Sequence, residues 1–237
     1  MKNGKIVSLI LLGLLAVWAP VARGDAQTQP QLPVQIPQPG VPEVLTIEGK
    51  FVRAAYNNEG YVILGYQASN RSVGEEWMLL EVGIALRDGV PDYTLLRNAL
   101  SLEITDGKTL PLPSITEFRE AKTMALQNRA RVQRDSINYF PPNASRACAL
   151  VFFPDLDNRA LPRDDAFLDD QRACVGRLFF KIPGGIKYGQ YWLNVKFAKS
   201  VVRVPFRILT EEEERFVSKN LKAIDKQVEE AFKPKKR

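Results

Sequence analysis

The sequence predicts a mainly β protein, an antiparallel sandwich or barrel that carries a helical insertion and a C-terminal α-helix. Short runs rich in β-branched, leucine and aromatic residues recur between residues 43 and 209, and turn residues separate them. No helices alternate with these runs, as they would in a parallel α/β sheet. Helical caps and spacing place the insertion at 114–134 and the last helix, with a basic tail, at 210–237.

Residues 1–24 have the three parts of a secretory signal peptide. Lys2 and Lys5 give a positive start, an apolar run follows, and small residues precede a plausible cleavage site. The apolar run is shorter than the roughly 20 residues that span a bilayer, and no later segment is long and apolar enough. We therefore expect an exported protein, periplasmic or extracellular, without a transmembrane segment.

Residues 25–42 predict a linker. The tract is rich in proline and glutamine, and its prolines at 30, 33, 37, 39 and 42 fix φ and remove backbone donors. Such a sequence forms an extended, semi-rigid spacer. A docking peptide for a proline-recognising partner is the alternative interpretation.

Composition narrows the classes of function. The 237 residues include no histidine, which excludes Ser-His-Asp and Cys-His nucleophiles and histidine metal sites. Removing Lys2, Lys5 and Arg23 with the signal peptide leaves 30 basic and 27 acidic residues, a net charge of +3. That charge, with no basic stripe among aromatics, predicts no nucleic-acid partner. We expect a protein that is not an enzyme and needs no cofactor, with calcium as the one ion to consider.

The strand-like runs follow one another from the end of the linker. They lie at 45–55, 61–69, 78–87, 93–97, 100–112, 149–153, 175–182, 191–197 and 201–209. The run at 100–112 is the clearest hairpin, because apolar and polar residues alternate on either side of Asp106-Gly107, a pair that tolerates positive φ. Pro183-Gly184-Gly185 has no P-loop pattern and predicts a hairpin turn.

Both predicted helices begin with a capping box. Ser114 with Glu117 starts the insertion, and Thr210 with Glu213 starts the final helix. In the final helix an apolar stripe recurs at spacings of three and four residues, namely Val217, Leu221, Ile224, Val228 and Phe232. The stripe predicts packing over an edge or open end of the sandwich. A homodimer contact through this helix is the alternative.

Two strand sequences resemble a known group of domains. They are Cys174-Val-Gly-Arg-Leu-Phe-Phe-Lys-Ile-Pro and Tyr191-Trp-Leu-Asn-Val-Lys-Phe, and the stretch 61–72 ending in Ala-Ser-Asn-Arg-Ser fits the same pattern. Together they are similar to exported bacterial immunoglobulin-like domains, over about residues 45–209. The resemblance implies an Ig-like β-sandwich in the cell envelope and no particular reaction. The helical insertion and the loop between the cysteines depart from the pattern.

Cys148 and Cys174 predict a disulfide, since an exported chain meets oxidising conditions. The loop that they close is rich in aspartate and could hold Ca²⁺, which takes six to eight oxygen ligands. The candidate ligands are Asp155, Asp157, Asn158, Asp164 and Asp165. The loop lacks the EF-hand spacing, and arginines lie among the acids, so a solvated polar loop is the alternative. A pair of hydrolytic carboxylates is a further one.

Near the end of the predicted insertion helix lie three arginines, Arg129, Arg131 and Arg134, which could bind carboxylates or phosphates of a partner. Helix-end chemistry, in which cations favour a helix C-terminus, is the plainer explanation.

The leading functional hypothesis is an exported, non-catalytic binding or assembly module of the cell envelope. Its partner would be another envelope protein or an anionic envelope polymer. The alternatives are a carboxylate-based or calcium-dependent hydrolase that uses the loop between Cys148 and Cys174, and a periplasmic chaperone-like module that complements a client strand.

Overall fold

A computed structural model describes residues 43–157 and 160–232. The strands are β1 (Val44–Gly49), β2 (Val52–Tyr56), β3 (Gly60–Gly65), β4 (Trp77–Leu86), β5 (Tyr93–Leu96), β6 (Leu100–Glu103), β7 (Thr109–Pro111), β8 (Arg146–Leu150), β9 (Asp165–Leu168), β10 (Arg172–Lys181), β11 (Gly189–Lys196) and β12 (Val201–Ile208). The helices are α1 (Gln67–Asn70), α2 (Ile115–Glu120), α3 (Met124–Val132) and α4 (Glu211–Phe232). The predicted signal peptide, the linker, Asn158 and the basic tail lie outside the described residues.

The strands form two main sheets and a small ribbon. The first sheet has the order β1-β2-β3-β4-β10-β8, the second has the order β12-β11-β6-β7, and β5 pairs with β9. The inner faces of the two main sheets share one hydrophobic core, to which α4 adds its apolar stripe. The protein is therefore a mainly β sandwich with a helical insertion and a C-terminal helix, as the sequence predicts. Kinship with immunoglobulin-like domains stays a prediction.

The first sheet is covered on both faces. In its central strand β4, every residue from Met78 to Leu86 is buried, although alternate side chains point to opposite faces. One face meets the second sheet. The other, called the outer face here, is covered by residues 112–145, which we call the covering segment and which includes α2 and α3. Phe118 of α2 packs against Phe179 of β10, and Ile137 packs against Ile63 of β3.

Glycines in the sheet let the covering segment come close. A Cβ atom added to Gly65 would lie 2.6 Å from Cβ of Asp135, and one added to Gly83 would lie 2.4 Å from Cζ of Phe140. Both separations are shorter than carbon atoms tolerate. The chain after α3 therefore rests on bare backbone at two points of the outer face.

Several local predictions are confirmed. β6 and β7 pair across Asp106-Gly107, where φ of Gly107 is +83°. Ser114 caps α2, with Glu117 completing the box, and Thr210 exchanges equivalent hydrogen bonds with Glu213 at the start of α4. Helix α4 packs along β1, which is an edge of the first sheet. Within the described part of the chain, no helix has the length and apolar character of a membrane span.

Four local predictions are wrong. The run at 45–55 is two strands joined by a tight turn, and the run at 61–69 ends at Gly65 and continues into α1. The insertion is two helices, because the backbone is extended at Ala121 and helix α3 starts only at Met124. The turn at Pro183 joins β10 to β11, which belong to different sheets, so it is a crossover and not a hairpin.

The disulfide between Cys148 and Cys174 is confirmed, and it joins neighbouring strands. β8 and β10 run parallel, in contrast to the antiparallel pairing expected throughout, and the two cysteines face each other in register. A parallel pair requires a long connection between its strands. Here the connection is the aspartate-rich loop with β9, and the disulfide closes it.

Reducing this disulfide should destabilise the fold. With a sequence separation of 26 between the cysteines, the chain-entropy model gives a loss of about 3–4 kcal/mol in the free energy of unfolding. We expect the double variant Cys148→Ala/Cys174→Ala to lose a similar amount in urea unfolding and to be insensitive to dithiothreitol. A wild-type midpoint that does not move under reduction would contradict this expectation.

Substituting Gly65 by alanine should displace the covering segment. The new Cβ would overlap Asp135, so we expect a loss of about 1–3 kcal/mol in urea unfolding. Gly49→Ala is the matched control, since its Cβ would lie 3.8 Å from the nearest atom, on Val52. Equal stability of the two variants would show that the close approach at Gly65 has no energetic consequence.

Candidate functional site

A polar cleft of about 300 Å³ lies on the outer face beside β8. Its floor is the pair of strands β8 and β10. Its sides are the part of the covering segment just after α3 and the start of the loop between the cysteines. The lining residues are Glu81, Arg134, Ala149, Asp155, Asp157, Val175, Gly176 and Arg177. We call this feature the acid–base cleft.

The deepest part of the cleft is a pair of opposite charges on adjacent strands. Glu81 of β4 and Arg177 of β10 face each other in the sheet register, and each is only 5 % exposed. Arg177 Nε lies 3.6 Å from Glu81 Oε1, and Arg134 Nε lies 3.6 Å from the same oxygen. Glu81 also accepts a hydrogen bond of 2.8 Å from the backbone N–H of Asp135. This carboxylate thus ties the covering segment to the sheet.

The guanidinium of Arg177 is not fully satisfied. Its Nη2 lies 2.7 Å from Asp157 Oδ2, but the two groups are not aligned for a hydrogen bond, so the contact is ionic. Its Nη1 is buried and has no acceptor among the described residues. A buried donor without a partner costs about 1–3 kcal/mol. Such a group at the wall of a cleft is a mark of a binding site.

The structure gives each of the three predicted arginines an acidic partner. Arg129 Nη1 lies 2.8 Å from Glu75 and also donates a hydrogen bond to Ser72. Arg131 Nε lies 2.9 Å from Asp157. Arg134, the third, lies beside Glu81 as described and has the most exposed side chain of the three, at 63 %. Only Arg134 lines the cleft.

The predicted calcium ligands are divided between two places. Asp155 and Asp157 line the acid–base cleft. Asp164 borders a separate cavity near Leu96, and Asp165 lies on β9, 3.5 Å from Arg163. Within residues 43–157 and 160–232, no three acidic side chains are grouped as a metal ion requires. Calcium binding by this loop stays a prediction.

The two surfaces that the sequence singled out face each other. Besides the contact between Arg131 and Asp157, the side-chain carbonyl of Gln127 in α3 accepts a hydrogen bond of 2.9 Å from the backbone N–H of Leu156. Helix α3 therefore holds the start of the loop between the cysteines. Arg131 and Asp157 neutralise each other here, and Asp157 lines the cleft.

Two carboxyl groups at the contact between the covering segment and the sheet have a pKa above the usual value. Burial raises the pKa of Asp135 to about 6, and the charge of Glu81 adds to this effect, while a hydrogen bond from the backbone N–H of Gln67 opposes it. Burial also raises the pKa of Glu81, against the hydrogen bond from Asp135 and the charges of Arg177 and Arg134.

Sequence reasoning missed Glu81 and Arg177. The available signal was a charged residue inside an apolar strand, since Glu81 stands in Met-Leu-Leu-Glu-Val-Gly-Ile and Arg177 in Val-Gly-Arg-Leu-Phe-Phe. A strand with one solvated face tolerates such a charge. A strand that is buried on both faces needs a partner for it, and the pairing of β4 with β10 supplies that partner.

Comparisons with known proteins identify no relative. No family model matches the chain, and neither a curated protein nor a solved structure matches it.

Replacing Asp135 by asparagine should stabilise the protein at high pH only. Because the folded pKa of about 6 exceeds the ordinary aspartate pKa of 3.8, the contribution of Asp135 to the free energy of unfolding is fully present below about pH 3.8 and is lost as the pH rises through 6. Asparagine keeps an acceptor for Gln67 without the charge. We expect the variant to be more stable than the wild type by on the order of 2 kcal/mol at pH 8, and to lose this advantage near pH 4.

Urea unfolding at pH 4, 6 and 8 measures this difference. Asp92→Asn is the matched control, because it makes the same substitution at an exposed aspartate outside the covering segment. A constant difference between Asp135→Asn and the wild type at all three pH values would contradict the raised pKa.

Proposed function

We propose that this chain is an exported, non-catalytic binding or assembly module of the cell envelope, and that it holds its partner at the acid–base cleft. The observation that carries the proposal is the buried Arg177, which is one of the residues lining the cleft and whose Nη1 has no acceptor among the described residues. Buried polar groups are normally satisfied, so an unpaired donor on a residue that lines a cleft supports a binding role.

The shape and charge of the cleft also support binding. It is open at the surface beside Ala149 on the edge strand β8, so a large partner can reach it. Its charges nearly balance. The lining holds three acidic residues and the guanidinium groups of Arg134 and Arg177. Arg131 adds a third guanidinium beside Asp157. A balanced site selects a partner by hydrogen-bond geometry more than by total charge.

The non-catalytic part of the proposal is supported by how the acidic groups are used. The whole sequence lacks histidine. Asp157 is engaged by both Arg131 and Arg177, so its carboxylate is committed to two ion pairs within the protein.

One observation favours the second candidate, a carboxylate-based hydrolase. Glu81 lines the cleft and has a raised pKa, as a general acid requires. Turnover of an envelope polymer by the purified protein, abolished in Glu81→Gln without loss of folding, would establish this candidate in place of the binding module.

The experiment that tests the binding function is crosslinking in the native cell, with recovery of the tagged chain and mass spectrometry. We expect one dominant partner, reduced at least tenfold in Arg134→Gln. Arg119→Gln is the matched control, because Arg119 is an exposed arginine of α2 that does not line the cleft.

Thermal unfolding of both variants separates binding from stability, since substitutions of such exposed side chains change stability little. A partner recovered equally with both variants would exclude the cleft as its contact. Recovery of no partner at all, with the wild type expressed and folded, would contradict the binding function itself.

A further inference from the structure

We propose that the acid–base cleft takes one carboxylate, carried on an extended segment of a partner protein that lies along β8. Arg177 is the residue that receives the carboxylate, and Asp157 is an internal competitor for the same guanidinium. This inference rests on the proposed binding function and names the chemistry of its partner.

The guanidinium of Arg177 defines the group that the cleft accepts. Among residues 43–157 and 160–232, neither Nη1 nor Nη2 of this planar fork has an acceptor aligned for a hydrogen bond. A carboxylate presents two oxygen atoms in one plane and matches this fork with two parallel hydrogen bonds. A single carbonyl oxygen would satisfy only one of the two nitrogens.

The surrounding charges limit the ligand to a single negative charge. Glu81, Asp155 and Asp157 line the same cleft and would repel a polymer with closely spaced anionic groups. One carboxylate brings one charge, which Arg177 and the exposed Arg134 can balance. The cleft therefore favours an isolated acidic side chain over an anionic polymer.

The edge strand β8 indicates how the carboxylate is carried. Among the strands of the described part of the chain, β8 is the last in its sheet and pairs with β10 alone, and its residues Arg146, Ala147 and Ala149 are exposed. An unpaired edge is a template for an extended peptide. Ala149 also lines the cleft, so alternate side chains of a peptide beside β8 would point over the floor formed by Val175 and Gly176. This geometry favours the chaperone-like form of a binding module.

Asp157 already occupies the position that the carboxylate would take. Its Oδ2 lies 2.7 Å from Arg177 Nη2, while its Oδ1 lies 2.9 Å from Arg131 Nε. An incoming carboxylate can replace Asp157 at Arg177, and Asp157 then keeps its contact with Arg131. Neutralising Asp157 should thus strengthen binding, which is the opposite of what a residue that contacts the ligand favourably would show.

The test uses two probe peptides, N-acetyl-Thr-Val-Glu-Val-Thr-amide and the same peptide with glutamine in place of glutamate. Amide chemical shifts of the isotope-labelled processed chain, recorded by NMR, report binding at Ala149, Gly176 and Arg177. We expect the glutamate peptide to shift these amides with an affinity about tenfold or more above that of the glutamine peptide, as a charge-assisted hydrogen bond provides.

Two variants sharpen the result. Arg177→Lys keeps the positive charge but lacks the planar pair of donor nitrogens. This variant should lose the preference for the glutamate peptide. Asp157→Asn changes a surface residue, so the protein should remain folded, and it should bind the glutamate peptide about threefold to tenfold more tightly. Weaker binding in Asp157→Asn, or equal binding of the two peptides by the wild type, would overturn the proposal.

A third probe, poly-glutamate, distinguishes the polymer alternative. Binding of poly-glutamate that greatly exceeds that of the single-glutamate peptide and persists in Arg177→Lys would assign the surface to an anionic polymer and overturn the inference. A partner found by crosslinking that depends on Arg134, together with no preference for glutamate, would overturn this inference while leaving the binding function in place.

Discussion

The burial of strand β4 on both faces is the constraint on which the rest of the structure depends. A sandwich needs to bury only the inner face of each sheet, yet the outer face of β4 and its neighbours is also apolar and buried. The covering segment buries this face, because Phe118 of α2 and Ile137 after α3 both pack against it. Burying a side chain of this size contributes about 1.5–3 kcal/mol. The helical insertion is therefore a third layer of the domain.

The ion pair of Glu81 and Arg177 lies between these two apolar regions. Burying charges is costly unless they are paired and hydrogen-bonded, and an apolar pair of the same volume would often be at least as stable. Glu81 meets the condition through Arg177 and the backbone of Asp135, whereas Arg177 meets it only in part. The unsatisfied group belongs to a residue that lines the acid–base cleft, which is why we assign function there.

The same contacts explain why two surfaces that looked separate in the sequence form one site. The arginines, which lie 14 to 19 residues before Cys148, were expected to reach outward to a partner. Arg131 instead binds Asp157, and Gln127 holds the backbone of Leu156. Charges that are paired in this way contribute little to attracting a distant ligand. Instead, the contacts of Arg131 and Gln127 hold the loop against α3 and shape the wall of the cleft.

Features with local causes could be read from the amino-acid order alone. These are the mainly β class, the hairpin at Asp106-Gly107, the two capping boxes, the apolar stripe of α4 and the cysteine pair. Each depends on residues a few positions apart or on a single covalent bond. Tertiary structure alone decided that β8 runs parallel to β10, that Pro183 leads into the other sheet, and that the insertion breaks at Ala121 to follow the outer face. It also placed Glu81 opposite Arg177. Periodicity reports that a side chain is buried, but not against which partner, because pairing between distant strands depends on how the whole chain closes its core.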